Sequence, residues 1–210
     1  MTTTTQNVVR VWGLNDWASY YGPTEKFDPR IEEVMQSACP FYKGKLVADT
    51  HFAFVGVPEI NGSPLTVAKW LELHPPTEQP KFYFNTDPWH AGQPHTDVAT
   101  LEPHLYVVLR EIVPGSTRKT PEEHVAMLPP EYERPTTIAE VTKDILVYRR
   151  TGKRSNPNYW AACSEQTVKT TRVVAGGVSC VGYFGGSGLG VGYWHGSPRD
   201  GVGVGASLKL

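Results

Sequence analysis

Residues 186–194 read Gly-Ser-Gly-Leu-Gly-Val-Gly-Tyr-Trp, and residues 201–206 read Gly-Val-Gly-Val-Gly-Ala. Because successive side chains of a β-strand point to opposite faces, this alternation predicts two strands, each with one bare glycine face and one small apolar face. The segment between them, Ser-Pro-Arg-Asp-Gly at 197–201, has the composition of a turn. We therefore predict a glycine-rich C-terminal β-hairpin within residues 176–210.

Glycine inside a strand weakens that strand, so the repetition indicates that something packs closely against the bare backbone. An aromatic side chain of the same chain, a ligand or another subunit would each meet this need. We favour another subunit, because bare strand faces and edges let two backbones approach closely. The predicted interface comprises Gly188, Gly190, Tyr193, Trp194, Val202 and Val204.

The composition indicates one globular domain over residues 1–210, with a polar N-terminal tail at residues 1–6. Hydrophobic residues make up 40% of the chain and charged residues 20%, which excludes wholesale disorder. The 18 prolines and 20 glycines indicate many turns and short strands. The predicted fold class is α+β, mainly β, with an antiparallel or mixed sheet, a few short flanking helices and the glycine-rich C-terminal hairpin.

Helix starts are predicted where a capping residue precedes a proline or a capping box occurs. These sites are Asp28-Pro29, Ser63-Pro64, Thr120-Pro121 and the pair Thr137 with Glu140. Runs rich in β-branched and aromatic residues predict strands at 7–12, 46–57, 81–84, 105–113, 144–150, 159–163 and 167–175. Residues 105–109 are apolar on both faces, which predicts a central strand. The basic segment 149–154 is interpreted as a solvated hairpin tip rather than a phosphate site.

Charge and cysteine content limit the partners that the sequence predicts. The chain has 20 basic and 21 acidic residues, so no overall charge favours nucleic acid or an anionic membrane. Three cysteines without C-x-x-C spacing predict neither a disulfide framework nor a structural zinc site. No apolar run is long enough for a membrane span, and residues 1–6 do not resemble a signal peptide. We expect a location in the cytoplasm or in an assembled particle.

The densest polar cluster is residues 87–97, Asp-Pro-Trp-His-Ala-Gly-Gln-Pro-His-Thr-Asp. Imidazole and carboxylate groups on one loop are typical ligands of a divalent metal, and residues 95–97 have the His-x-Asp form of an iron facial triad. The candidate ligands are His90, His95, Asp97 and His104. The alternative interpretation is that these histidines are surface groups or hydrogen-bonded structural groups.

Three functions follow, in order of preference. The first is a self-associating structural subunit of a virion or another ordered assembly, which forms a homo-oligomer and needs no cofactor. The second is a metal-dependent enzyme, oxygenase-like or hydrolytic, that uses Fe or Zn at the histidine loop. The third is a carbohydrate-binding module, because six Trp and ten Tyr supply possible stacking surfaces. No nucleophile elbow, P-loop or dinucleotide fingerprint occurs, so the sequence identifies no catalytic residue.

Overall fold

A computed structural model of the protein describes residues 31–83 and 87–210, and in these ranges the fold is a mixed α+β structure. The helices are α1 (Ile31–Gln36), α2 (Val47–Thr50), α3 (Val67–Leu73), α4 (Pro94–Asp97), α5 (Pro121–Ala126) and α6 (Thr137–Thr151). The strands are β1 (His51–Val55), β2 (Glu59–Ile60), β3 (Ser63–Pro64), β4 (Leu105–Leu109), β5 (Tyr132–Glu133), β6 (Trp160–Gln166), β7 (Val178–Gly185), β8 (Gly188–Trp194), β9 (Val202–Val204) and β10 (Ser207–Leu208). The strand predicted at 7–12 and the helix start at Asp28-Pro29 lie outside the described residues.

The first sheet has the strand order β1-β4-β10-β5, and all its pairs are antiparallel. Each residue of β4 is buried, and β1 and β10 flank it on its two sides. The predicted central strand at 105–109 is therefore confirmed, although it ends at Leu109 rather than at residue 113. The predicted strand at 46–57 is shorter in the structure, because residues 47–50 form α2 before β1 begins.

The second sheet has the strand order β8-β7-β6-β9, with β9 parallel to β6. Strands β7 and β8 form an antiparallel hairpin whose two-residue turn is Gly186-Ser187, between the paired Gly185 and Gly188. The two glycine-alternating strands that the sequence predicts are both present, but they are not partners, because β8 and β9 lie at opposite edges. A tight two-residue turn lets β8 pair with the strand before it, and the longer segment after Trp194 carries the chain across the sheet.

Helix α6 is the centre of the fold and contacts strands of both sheets. Every residue from Thr137 to Val147 is buried. The Thr136 hydroxyl accepts from the Ala139 N–H at the N-terminus, and Gly152 ends the helix in a left-handed conformation with φ 68°. The strand predicted at 144–150 is wrong, because these residues form the second half of α6, which is buried on every side as far as Val147.

Three other local predictions have different outcomes. The helix at Thr120-Pro121 is confirmed with its capping box, in which the Thr120 N–H donates to Glu123 Oε2 at 2.8 Å. Ser63-Pro64 forms β3 instead of a helix start, and α3 begins at Val67 under a Thr66 cap. The predicted strand at 167–175 is irregular in the structure. In the described part of the chain, no helix has the length and apolar character that a membrane crossing requires.

Candidate functional site

The glycine positions of β8 lie under an aromatic side chain of the same chain. A Cβ atom added at Gly190 would lie 2.5 Å from Cη2 of Trp160, and one added at Gly192 would lie 2.9 Å from its Cζ3. Trp160 stands opposite Gly182 on β7, and Gly182 stands opposite Gly190 on β8. The indole therefore crosses from β6 to β8 over backbone that carries no side chain, which explains why glycine is required at Gly190 and Gly192.

The other glycines of the alternation also have neighbours from the same chain. Added Cβ atoms would meet the Phe82 backbone at Gly188, the Ser116 and Ile112 side chains at Gly203, and the Pro135 ring at Gly205. The predicted interface is buried at Gly188, Gly190, Trp194, Val202 and Val204, whereas Tyr193 is partly exposed. The chain itself covers these glycine faces, so they no longer argue for a second subunit.

Both outer edges of the second sheet already make hydrogen bonds. The Leu189 N–H donates to the Lys81 carbonyl at 2.7 Å, and the Tyr83 N–H donates to the Leu189 carbonyl at 2.9 Å. On the opposite edge, the Val113 N–H donates to the Val204 carbonyl at 2.9 Å. Because the edge backbone is paired, strand addition by another molecule is hindered at these places.

The histidine loop brings two imidazoles and one carboxylate onto a short stretch around α4. His90 and His95 are buried, and neither His90 Nδ1 nor His95 Nε2 has a hydrogen-bond partner among the described residues. Burial lowers the pKa of His90 to about 4, so this ring is neutral at pH 7. Asp97 accepts hydrogen bonds from the Gly92 N–H at 2.6 Å and from the Thr96 hydroxyl at 2.9 Å.

The fourth candidate ligand, His104, is exposed and stacks on Tyr106 with ring centroids 4.2 Å apart. Within residues 31–83 and 87–210, no three His, Cys, Asp or Glu side chains converge in a way that could hold a metal ion. The structure therefore shows two unpaired imidazole nitrogens near a carboxylate, and a metal at this loop stays a prediction.

A second polar region is a cavity of about 560 Å³ beside β1 and the C-terminal end of α6, which we call the cationic cleft. Its charged lining residues are Arg110, Arg150, Lys153 and Arg154 against Asp49 and Glu111. Four basic side chains face two acidic ones, although the whole chain carries a net charge of −1. Positive charge is therefore concentrated at this one place.

The fold fixes the basic side chains of the cleft. Arg110 follows β4 directly, and its Nε donates to the His51 carbonyl at 3.0 Å while Nη2 donates to the Ala48 carbonyl at 2.9 Å. The Arg150 guanidinium lies 5.3 Å from the Phe52 ring centroid. The Arg154 guanidinium lies 5.1 Å from the ring centroid of Tyr148. These hydrogen bonds and cation–π contacts hold the guanidinium groups in place before any ligand arrives.

Two residues that line the cleft each have a buried side-chain atom that lacks a hydrogen-bond partner in the described structure: His51 Nε2 and Arg154 Nε. The other ring nitrogen of His51 lies 2.9 Å from the Thr50 hydroxyl, and burial lowers the pKa of His51 to about 4. Burial raises the pKa of Asp144, and the contacts with Lys143 and the Ser155 hydroxyl oppose that rise. Buried polar atoms without a partner are rare, because each costs free energy unless water, an ion or a ligand satisfies it.

A buried ion cluster on α6 supports the cleft from the inside. Lys143 Nζ lies 2.6 Å from Glu140 Oε1 and 2.8 Å from Asp144 Oδ1, and it donates to the Arg110 carbonyl at 3.1 Å. All three ionic side chains are inaccessible to solvent, and burial raises the pKa of Glu140. The Lys143 contact ties α6 to the residue that carries one of the guanidinium groups of the cleft.

The basic segment 149–154 was the one sequence signal of this cleft, and its interpretation as a hairpin tip is wrong. The segment is the last turn of α6 and the left-handed Gly152 that follows it.

Comparison with known proteins finds no family model, no curated protein and no solved structure that matches the chain. The function must therefore be argued from the geometry of the chain itself.

Proposed function

We propose that the protein binds a small ligand with two or more negative charges in the cationic cleft. The observation that carries this proposal is the concentration of four basic side chains, those of Arg110, Arg150, Lys153 and Arg154, on the lining of one cavity. A ligand with several negative charges would offset this excess of positive charge, which the lining residues Asp49 and Glu111 balance only in part.

The size and charge of the cleft support an anionic ligand. Its volume of about 560 Å³ falls within the range of about 300 to 1,000 Å³ that is typical of small-molecule sites. Guanidinium groups donate two parallel hydrogen bonds to carboxylate or phosphate oxygens, and they keep their charge when they are partly buried. Phosphate esters and polycarboxylates share this chemistry, and both would be recognised here.

A melting-temperature screen with pyrophosphate and citrate as probes tests this class of ligand. A ligand that binds only the folded state raises the melting temperature in proportion to the logarithm of its concentration over Kd. We expect both anions to raise the melting temperature more than NaCl does at the same ionic strength. Equal shifts from NaCl would show that ionic strength acts on the protein without a site, and would reject the proposal.

We propose metal-dependent activity at the histidine loop as a second candidate function. The buried, unpaired ring nitrogens of His90 and His95 favour it, because a neutral imidazole nitrogen is a ligand for Zn²⁺ or Fe²⁺. Calorimetric titration with Zn²⁺, and with Fe²⁺ under anaerobic conditions, should give a binding isotherm that His95→Ala weakens at least tenfold. The variant His195→Ala removes an exposed histidine outside the loop and serves as the control.

Self-association into an ordered assembly remains a prediction from the sequence. Of the residues proposed for its interface, all but the partly exposed Tyr193 are covered within the chain, so the assembly would have to rest mainly on another surface. Sedimentation velocity over a hundredfold range of protein concentration tests it: a constant monomer would reject the prediction, and a concentration-dependent larger species would support it.

A further inference from the structure

Two aromatic side chains form an exposed pair on the second sheet, which we call the aromatic pair: Trp160 on β6 and Tyr183 on β7. Their ring centroids lie 5.4 Å apart at an interplanar angle of 38°. Trp160 is partly exposed and rests on Gly190 and Gly192, while 49% of Tyr183 is exposed. Because these two glycines have no side chains, the indole lies close against the sheet, and the pair presents an aromatic surface to solvent.

The backbone is strained where it presents this surface. Tyr183 has φ 47° within the irregular stretch of β7 between Gly182 and Gly185. Among the described non-glycine residues, positive φ values otherwise occur at two asparagines and at Arg118, with φ 59°. Asparagine tolerates the left-handed region, whereas tyrosine and arginine adopt it only where the surrounding structure imposes it. A bulge that turns an aromatic side chain outward is a feature found next to binding sites.

A polar rim lies beside the aromatic pair. A Cβ atom added at Gly201 would lie 3.3 Å from the Tyr183 hydroxyl oxygen, so Tyr183 reaches the chain at Gly201. The neighbouring Asp200 carboxylate is paired with the Arg118 guanidinium, and both side chains are mostly exposed. The Arg118 N–H also donates to the Arg199 carbonyl at 2.9 Å. The two strained residues therefore lie at the same surface, one in the aromatic pair and one in the rim.

We propose that this surface is a saccharide-binding site, distinct from the cationic cleft. The aromatic pair would stack on the apolar face of a sugar ring, and Asp200 and Arg118 would accept and donate hydrogen bonds at its hydroxyl groups. Asp200 and Arg118 neutralise each other as an ion pair, and a carboxylate and a guanidinium beside an aromatic surface suit the hydroxyl groups and apolar face of a neutral sugar. Strand addition by a protein partner is disfavoured, because both outer edges of this sheet already make hydrogen bonds.

A glycan array identifies the sugar, and tryptophan fluorescence then measures affinity for the glycan that is bound best. The decisive variant is Tyr183→Gly, which removes the exposed ring and also relieves the left-handed strain. We expect it to lower affinity at least tenfold while its melting temperature stays equal to or above that of the wild type. A residue that serves only the fold would lower the melting temperature instead.

Two further variants keep the test decisive. Tyr183→Asn also removes the ring and accepts a positive φ, so it replaces Tyr183→Gly if the glycine variant does not fold. Val174→Ala trims an exposed apolar side chain on another loop and should leave affinity unchanged. The proposal fails if no glycan binds the wild type above the level of the Tyr183 variants. It also fails if those variants bind the glycan as tightly as the wild type.

Discussion

Substituting Gly192 by alanine should push the Trp160 ring slightly away from the sheet, and the structure sets the expected size of the effect. The added Cβ would lie 2.9 and 3.1 Å from two ring atoms of Trp160, whereas ordinary carbon contacts begin at about 3.5 Å. The ring must therefore shift by about half an ångström. Overpacking of this kind costs about 1–3 kcal/mol, and the lower chain entropy of alanine returns about 0.5–1 kcal/mol. We expect a net loss of about 0–2.5 kcal/mol in the free energy of unfolding.

A double-mutant cycle by urea denaturation isolates this contact. With Trp160→Ala in place, Gly192→Ala should become neutral or stabilising, because its close neighbours are atoms of the Trp160 ring. Gly190→Ala should stay destabilising in the same background, because its Cβ would also lie 2.8 Å from the Gly182 carbonyl oxygen. Gly186→Ala has no described atom within 4 Å of the added Cβ and is the control. Additive effects of Gly192→Ala and Trp160→Ala, within about 0.5 kcal/mol, would refute the account of the glycine face.

Three further predictions concern stability. Lys143→Met leaves two buried carboxylates without their cation, so it should lower the free energy of unfolding, measured by urea denaturation, by about 3–5 kcal/mol. A loss below about 1 kcal/mol would mean that water reaches the cluster. Burial lowers the pKa of His51 to about 4. Between about pH 6.5 and pH 4 the imidazole is therefore protonated in the unfolded state and neutral in the folded state. The free energy of unfolding should be highest above about pH 6.5 and should fall as the pH drops toward 4. The prediction is contradicted if the urea midpoint of the wild type does not change between about pH 6.5 and pH 4 and His51→Gln shows the same pH dependence. Gly56→Ala places a Cβ against the Glu102 carbonyl oxygen and should prevent soluble expression, whereas a variant with wild-type melting behaviour would show that this backbone can move.

Short-range features of the fold could be predicted from the sequence. The capping box at Thr120 and Glu123 works within one helical turn, so its residues alone determine it. Strand β4 is apolar on both faces because it lies inside a sheet, and the same pattern identified it. The glycine alternation correctly indicated a closely packed backbone, but the neighbour, Trp160, belongs to a strand that is remote in sequence.

Features that depend on tertiary contacts could not be predicted. Residues 144–147 belong to the part of α6 that is buried on every side, and such a segment lacks the amphipathic period that distinguishes a helix from a strand. The partner of β9 is the parallel β6, which no local turn signal specifies. The cationic cleft combines Arg110 from the end of β4 with three basic residues at the end of α6. The basic segment 149–154 is visible in the sequence, but neither Arg110 nor the cavity can be assigned to it without the fold.

The most direct test of the central claim is the calorimetric titration of pyrophosphate into the wild type, Lys153→Gln and Lys169→Gln. Lys153 lies on the lining of the cleft and is exposed, so its loss removes one positive charge without disturbing the core. Lys169 is an exposed lysine outside the cleft and controls for overall charge. We expect saturable binding to the wild type and to Lys169→Gln, with severalfold weaker binding to Lys153→Gln. Absence of saturable binding to the wild type, or equal affinity in all three proteins, would contradict an anion site in the cationic cleft.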